Sequence, residues 1–400
     1  MFNVRFVPDS DFDQIFELND IAFHERTEDD DREKVEWLLR RAHRIGAYDE
    51  GRLVGFLAAV PQEVSVPGGT LPCLGVTFVC VLPTHTRRGI LAAMLDYMWA
   101  EVPAPLATLY ASEAKIYGRH GFGVATHALH VDLDSDQPLK LRAEPADVPL
   151  RLVPAGEAVK VLTPLYEEAR ARRAGQFARD EEWWTRAVLS DVLPFDDDLT
   201  APRVVVAGDS GYAVYRTKQE NDSANTPGLV YVVELEAGSA TVEAALWRYL
   251  ASIGLTWRVG SLARPVDDLL PLLVADKDTV NVKKRWPALW LRLNDVPAAL
   301  TGRTWAAPVD LVLDVTDERL PANHGRWHLS ADDTGTACRR TDAPANLSFE
   351  VADLAAAYLG DTPVTTLVRA GLVVEHTPGA ATHLDTALHT PLAPFAYDEF

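Results

Sequence analysis

Val79-Cys80-Val81-Leu82-Pro83-Thr84-His85-Thr86-Arg87-Arg88-Gly89-Ile90-Leu91 leads an apolar strand into a basic turn, and the turn into a helix. Val76 to Val81 is rich in β-branched residues and apolar on both parities, which predicts a buried central strand ending at Pro83. From about Gly89 to Val102, the residues Ile90, Met94, Leu95, Met98 and Val102 recur at helical spacing and predict one buried face. The first turn of such a helix has unpaired N–H groups and the positive end of the helix dipole, so it suits a phosphate. Gly89 lets the backbone approach closely, and Arg87 and Arg88 supply charge. No Gly-Lys-Ser/Thr follows and only one glycine is present, which excludes a Walker loop and the dinucleotide fingerprint.

The surrounding sequence predicts an α/β unit over residues 1–135. Ser10 and Asp13 are spaced as a capping box opening a helix that offers Ile15, Phe16, Leu18 and Phe23 for packing. Val35, Leu38, Leu39 and Ala42 predict a second helix. Leu53 to Val60 has strand length, and Val64 to Leu74 reads as a hairpin around Pro67-Gly68-Gly69. Leu106 to Ala111 is a strand, Glu113 to His120 a short helix stopped by Gly121, and Val124 to Leu133 the last strand of the unit. Residues 136–149 read as a linker. A second α/β unit is expected over 150–294. Its helices are Ala158 to Arg170, Asp180 to Val192, Thr241 to Ile253 and Pro265 to Leu272. Its strands are Arg203 to Ala207, Gly211 to Arg216, Leu229 to Glu236, Trp257 to Leu262 and Trp290 to Asn294. Residues 295–400 form a third pattern, with strands Val309 to Val315, Arg326 to Ser330, Ala337 to Arg340 and Asn346 to Phe349, and helices Val351 to Leu359 and Pro363 to Ala370. The tail from Thr390 to Phe400 contains Pro391 and Pro394 and so is not a regular helix. With Phe395, Tyr397 and Phe400 it is too apolar to be left in water, and it is expected to be docked.

Length and composition bound the function. At roughly 150 residues per domain, 400 residues predict two or three domains. No apolar run approaches the ~18 residues of a membrane span, and no signal peptide is read at the start. Three cysteines (Cys73, Cys80, Cys338) with no CxxC argue against a disulfide framework or zinc site and for a reducing, cytoplasmic setting. A net charge of −20 disfavours nucleic acid and leaves polycationic ligands open. His24, His85 and His120 have no metal-ligand spacing, and no metal is expected.

A second segment bears on the chemistry: Ser112-Glu113-Ala114-Lys115-Ile116-Tyr117-Gly118-Arg119-His120-Gly121-Phe122-Gly123. With the strand–turn–helix stretch it resembles the GNAT acyltransferases. The family's pyrophosphate loop is Gln/Arg-x-x-Gly-x-Gly/Ala; here the frame is Thr86 to Leu91, which departs at its first and last positions. The late motif of the family places a tyrosine four residues before Gly-Phe, as Tyr117 is. Further matches are Pro-Thr-His before the turn, Ala111 to Glu113, Gly121 to Thr126, Leu289 to Arg292, Val296 to Leu300, and the ending Asp398-Glu399-Phe400. Over nearly the whole chain these resemble the Eis-type (enhanced intracellular survival) N-acetyltransferases of actinobacteria.

The resemblance implies an α/β (α+β) chain: two GNAT domains in tandem, the second without the CoA loop, and a C-terminal sterol-carrier-like domain. It implies acetyl-CoA as co-substrate, polycationic amines such as aminoglycosides as acceptors, and a homo-hexamer. Carried onto this sequence, Val79, Cys80 and Val81 would meet the acetyl and pantetheine part, with strand N–H groups polarising the thioester carbonyl. Arg87, Arg88, Gly89, Ile90, Leu91 and Ala92 would hold the pyrophosphate, with Ser112 and Glu113 beside the cofactor. Tyr117 would be the general acid, since a phenol keeps its proton at neutral pH. The α-carboxylate of Phe400 would be the general base, directly or through water; its intrinsic pKa of ~3.5 needs an apolar setting to rise. Glu28, in the run Glu28-Asp29-Asp30-Asp31, and Trp37, Phe78 and Glu399 would line the substrate pocket. Plain structural roles compete for several of these: a solvated loop for Glu28, core packing for Trp37 and Phe78. Cys80 is not read as a nucleophile, because transfer in this family is direct. A protein-lysine or polyamine acetyltransferase, and a lipid- or sterol-binding protein, are the alternative functions.

Overall fold

In the computed structural model, which describes residues 2–24, 26–191, 198–218 and 228–400, the chain divides into two compact units. One consists of the chain up to Thr126 together with Ala288–Phe400, the other of His127–Pro287.

The first unit begins with β1 (Asn3–Phe6), α1 (Phe12–Phe23), α2 (Asp29–Arg41), β2 (His43–Asp49), β3 (Arg52–Val66), β4 (Gly69–Val81), α3 (Ile90–Glu101), β5 (Leu106–Tyr110), α4 (Ala114–Tyr117) and β6 (Gly123–Val124). Leu53 to Val60 is buried at every residue, as an apolar run on both parities requires when both faces of a sheet are covered. Ile15, Phe16 and Leu18 of α1 join the same core as Met94, Leu95 and Met98 of α3. The expected capping box is absent. A 3₁₀ turn over Asp9–Asp11 takes up Ser10, whose hydroxyl turns to Asp11, and the helix starts without a side-chain cap. Phe23, expected to pack, lies in the last turn of α1 and is largely exposed.

The second unit contains β7 (His127–Asp134), β8 (Leu150–Val153), α5 (Ala155–Arg172), α6 (Glu181–Trp183), β9 (Arg203–Ala207), β10 (Gly211–Lys218), β11 (Gly228–Ala237), α7 (Ala240–Ala251), β12 (Thr256–Pro265), α8 (Leu270–Leu273) and β13 (Val280–Pro287). Its sheet runs β13-β7-β12-β11-β10-β9-β8. This corrects the reading of Val124 to Leu133 as the last strand of the first unit. The run breaks after the two residues of β6, and β7 pairs with β12 and β13 in the second sheet. The helix expected over Pro265 to Leu272 shrinks to Leu270–Leu273, because β12 stays extended to Pro265, where it still pairs with Ala128. The helix expected from Asp180 passes into a π-helical turn ending at Val188; Val192 lies outside the described residues. Trp183 and Trp184 are both buried.

The chain then returns to the first sheet. β14 (Leu289–Leu293) pairs antiparallel with β5, Leu289 opposite Tyr110 and Leu293 opposite Leu106, and with β6 on its other side. The first sheet is therefore β1-β2-β3-β4-β5-β14-β6, and the strand expected to close the second unit belongs to the first. Every residue of β14 is buried, which fits an interior strand and names no sheet. The remaining chain forms α9 (Val296–Thr301), β15 (Val309–Thr316), β16 (Gly325–Asp332), β17 (Gly335–Arg340), β18 (Leu347–Glu350), α10 (Val351–Tyr358), α11 (Val364–Arg369), β19 (Val373–Glu375) and α12 (Ala380–Leu388), with the sheet β17-β16-β15-β18-β19. The tail beyond α12 has no helix or strand; Phe395, Ala396 and Asp398 are buried.

Candidate active site

Strands β4 and β5 pair in parallel from Cys73–Leu106 to Gly75–Thr108 and no further. Both strands continue, β4 to Val81 and β5 to Tyr110, so they part and leave a wedge at their C-terminal ends. On the other side of β4 the register steps between Phe56–Cys80 and Ala58–Thr77. Phe78 and Val79 thus face Leu57 alone, which is a β-bulge. Phe78 has φ +50°, a conformation that costs an aromatic L-residue about 1–2 kcal/mol. The bulge disrupts the ladder beside the wedge. Thr77, Phe78 and Val79 are only half-buried although they lie inside a seven-stranded sheet, so the wedge is open to a ligand.

The chain leaves the wedge through a 3₁₀ turn, Pro83–His85, and reaches α3 by way of Arg87 at φ +62° and Gly89 at φ +79°. Gly89 is the N-cap of α3, and no side chain caps the helix. The N–H of Ala93 bonds back to Gly89, which leaves the N–H groups of Ile90, Leu91 and Ala92 ahead of the first helical hydrogen bond. No acidic residue lies in that first turn, and a Cβ at Gly89 would meet nothing within 4 Å. A turn of this kind can seat an anion. Arg87 is exposed there, whereas Arg88 is 3.0 Å from Asp49, whose carboxylate is also 3.4 Å from His85.

Tyr117 ends α4 inside the core, edge-to-face with Phe122. Burial, with Cys80 and Glu113 nearby, pushes its phenol up to about 12. Burial also pushes the Cys80 thiol up to about 12, so it carries no thiolate. Ser112 and Glu113 are exposed just after β5, Glu113 paired with Lys115 at 3.0 Å. The ring of Phe400 lies against Gly75, the last residue of β4 that pairs with β5, and meets Tyr110 edge-to-face with centroids 5.9 Å apart. Glu399 is exposed as a residue, while burial of its carboxyl raises the pKa of that group. Tyr117 thus stands near Cys80, beyond the last β4–β5 pairing, and Phe400 lies at Gly75, where that pairing ends. Glu28 and Trp37 stand on α2, which packs on β2 and β3. Glu28 is its exposed N-cap, and Trp37 lies under Arg41. Asp29, Asp30 and Asp31 begin α2, and their side chains lie outside what the structure describes. Gly75 and Tyr110 were missed from sequence. The available signal was a glycine inside a β-branched strand, which marks a close approach.

The second unit has the same parallel strand pair, and its strands also run on past their last pairing, β11 to Ala237 and β12 to Pro265. β11 and β12 pair in parallel up to Tyr231–Gly260. Beyond that point Arg264 donates to the carbonyl of Leu235 and to Asp268. Helix α7 is capped by Ser239, which accepts from the N–H of Val242, and carries Glu243 in its first turn. A capped, acidic first turn disfavours phosphate.

Parting parallel strands, a bulge and an uncapped glycine turn into a helix define an acyl-CoA site of the GNAT acetyltransferase class. Acetyltransferase (GNAT) domain models match residues 3–125 and 175–293, and a sterol carrier protein domain model matches 296–397. The chain is 38% identical to an uncharacterized N-acetyltransferase of Streptomyces avermitilis, over 92% of this chain and 91% of that one. It is 33% identical to the N-acetyltransferase Eis of Mycobacterium tuberculosis, over 82% and 81%. The crystal structure of Eis1 from Mycobacterium abscessus superimposes with a TM-score of 0.86 at 32% identity, covering all of both chains. The chain belongs to the Eis-type GNAT N-acetyltransferases. It is an N-acetyltransferase, and its GNAT domains imply acetyl-CoA as co-substrate. Among the described residues no helix is long and apolar enough to cross a membrane.

Proposed function

We propose that the enzyme transfers the acetyl group of acetyl-CoA directly to a primary amine of a polycationic small molecule of the aminoglycoside type. The observation that carries this reading is the wedge, with a buried, protonated phenol beside Cys80 and the last residue of the chain at its base. Val79, Cys80 and Val81 run along the acyl and pantetheine part, and strand N–H groups there take the charge that grows on the thioester oxygen. Arg87 through Ala92 hold the pyrophosphate, with Ser112 and Glu113 beside the cofactor. The amine nitrogen attacks the carbonyl carbon; the C–N bond forms and the C–S bond breaks. The carboxylate of Phe400 takes the proton from the amine, directly or through water, and Tyr117 gives its proton to the CoA sulfur. A net charge of −20, with Glu28 and Glu399 as pocket acids beside Trp37 and Phe78, favours a cationic acceptor. The second GNAT domain is non-catalytic in this reading. The assembly is a homo-hexamer, for which light scattering should give six times the 44.0 kDa chain mass.

The test is CoA release, followed with a thiol reagent, from acetyl-CoA plus kanamycin-type aminoglycosides, polyamines or a lysine-rich peptide. Release with the aminoglycosides is expected. Release with the peptide alone would replace the small-molecule acceptor by a protein lysine. No release with any acceptor, alongside tight binding of a fatty ligand, would favour a lipid-binding role.

A further inference from the structure

We infer that Gly75 and Tyr110 form a seat for the Phe400 ring and so fix where the carboxylate of that residue stands; both are positioning residues. The inference rests on the reading of Phe400 as the general base. Gly75 has no positive φ and sits in ordinary extended backbone within β4, so the backbone itself does not demand a glycine. What demands it is Phe400. A Cβ at position 75 would lie 2.6 Å from Cε2, 2.9 Å from Cζ and 3.0 Å from Cδ2 of that ring. Non-bonded carbons rest about 3.5–4.0 Å apart, so a methyl there drives the ring away by about 1 Å. Tyr110 closes the other side. It is the last residue of β5, held by pairing with Leu289 of β14, and its ring meets Phe400 at 77°. Its hydroxyl is buried with no hydrogen-bond partner among the described residues, so ring packing is what it offers the tail.

The two residues come from the two strands that separate at this point. Gly75 sets how deep the ring sinks and Tyr110 holds its edge, so the end of the tail is registered against the same strands that hold the thioester. Displacing a reacting group by 1 Å can cost roughly 10²-fold in rate.

The experiment compares Gly75→Ala, Phe400→Leu, the double variant and a chain lacking Phe400 in steady-state kinetics with the acceptor that releases most CoA. Gly75→Ala is expected to lower kcat about 10²-fold and leave the KM for acetyl-CoA within about twofold. Phe400→Leu keeps a carboxylate and shortens the side chain. In the Gly75→Ala background it should restore kcat to the level of Phe400→Leu alone. Wild-type kcat in Gly75→Ala, or a double variant no faster than Gly75→Ala, would overturn the seat. Full turnover without Phe400 would overturn the reading beneath it. Loss of turnover on that deletion, with Gly75→Ala unaffected, would sink the seat and leave the base in place.

Discussion

A phenol that keeps its proton to about pH 12 is a proton donor over the whole working range of an enzyme. For Tyr117 the cause is burial first, then Cys80 and Glu113. The side chain therefore gives no alkaline fall in kcat below about pH 10, since a raised pKa moves ionisation upward. Tyr117→Phe should lower kcat about 10²-fold or more, with the KM for acetyl-CoA little changed. A pH–rate profile checks both statements. A fall near pH 10 that vanishes in Tyr117→Phe would mean the phenol is solvated rather than buried. Tyr117 was legible from sequence because its motif is local: it stands four positions before Gly121, whose φ of +85° turns the chain back. Gly75 and Tyr110 were not legible, because what they touch is more than 280 residues away along the chain.

At the scale of the element, the proposed function makes the start of α3 the part that governs affinity for the cofactor. Gly89 holds a left-handed φ, which costs an L-residue about 1–2 kcal/mol, and its missing side chain leaves open space over the N–H groups. Gly89→Ala should raise the KM for acetyl-CoA about tenfold, the equivalent of 1.4 kcal/mol of lost binding, with kcat largely kept. Charge at this turn is partly diverted, since Thr86 supplies none and Arg88 is paired with Asp49. Asp49→Asn should free Arg88 and lower the KM for acetyl-CoA at low salt, the advantage fading as salt rises. Titrating the KM against ionic strength checks this; identical curves for the two proteins would show that Arg88 does not reach the phosphates. The strand, turn and helix were all visible in one stretch of sequence, because apolar parity and helical spacing are properties of neighbours. The capping box at Ser10 failed for the opposite reason: several polar residues could open the helix, and a 3₁₀ turn took the one expected to cap it.

At the scale of the molecule, one buried histidine couples the first unit to pH. Burial, then Arg319, Arg119 and Arg292, lower the pKa of His120 to about 4. In the unfolded chain the same ring titrates near 6.5, so between these values the unfolded state binds the extra proton. Stability is therefore lost as pH falls from ~6.5 towards about 4. His120→Gln should flatten the melting temperature across that window; an unchanged slope would assign the acid lability to other groups.

Much was legible in the sequence alone: the class of fold, the strand, turn and helix around Gly89, the burial of Tyr117 and the burial within the tail. Each follows from local spacing or from the solvent cost of exposing a short apolar segment. Only the tertiary structure decided which sheet received each strand. β7 and β14 each read simply as strands, and β14 pairs with β5, about 180 residues earlier. The edge strand β13 escaped detection because most of its residues face water and leave no core pattern. The bulge at Phe78, the parting of β4 from β5 and the ring of Phe400 over Gly75 are likewise contacts between distant segments. Periodicity states that a face is buried, and the partner that buries it is chosen only when the whole chain packs.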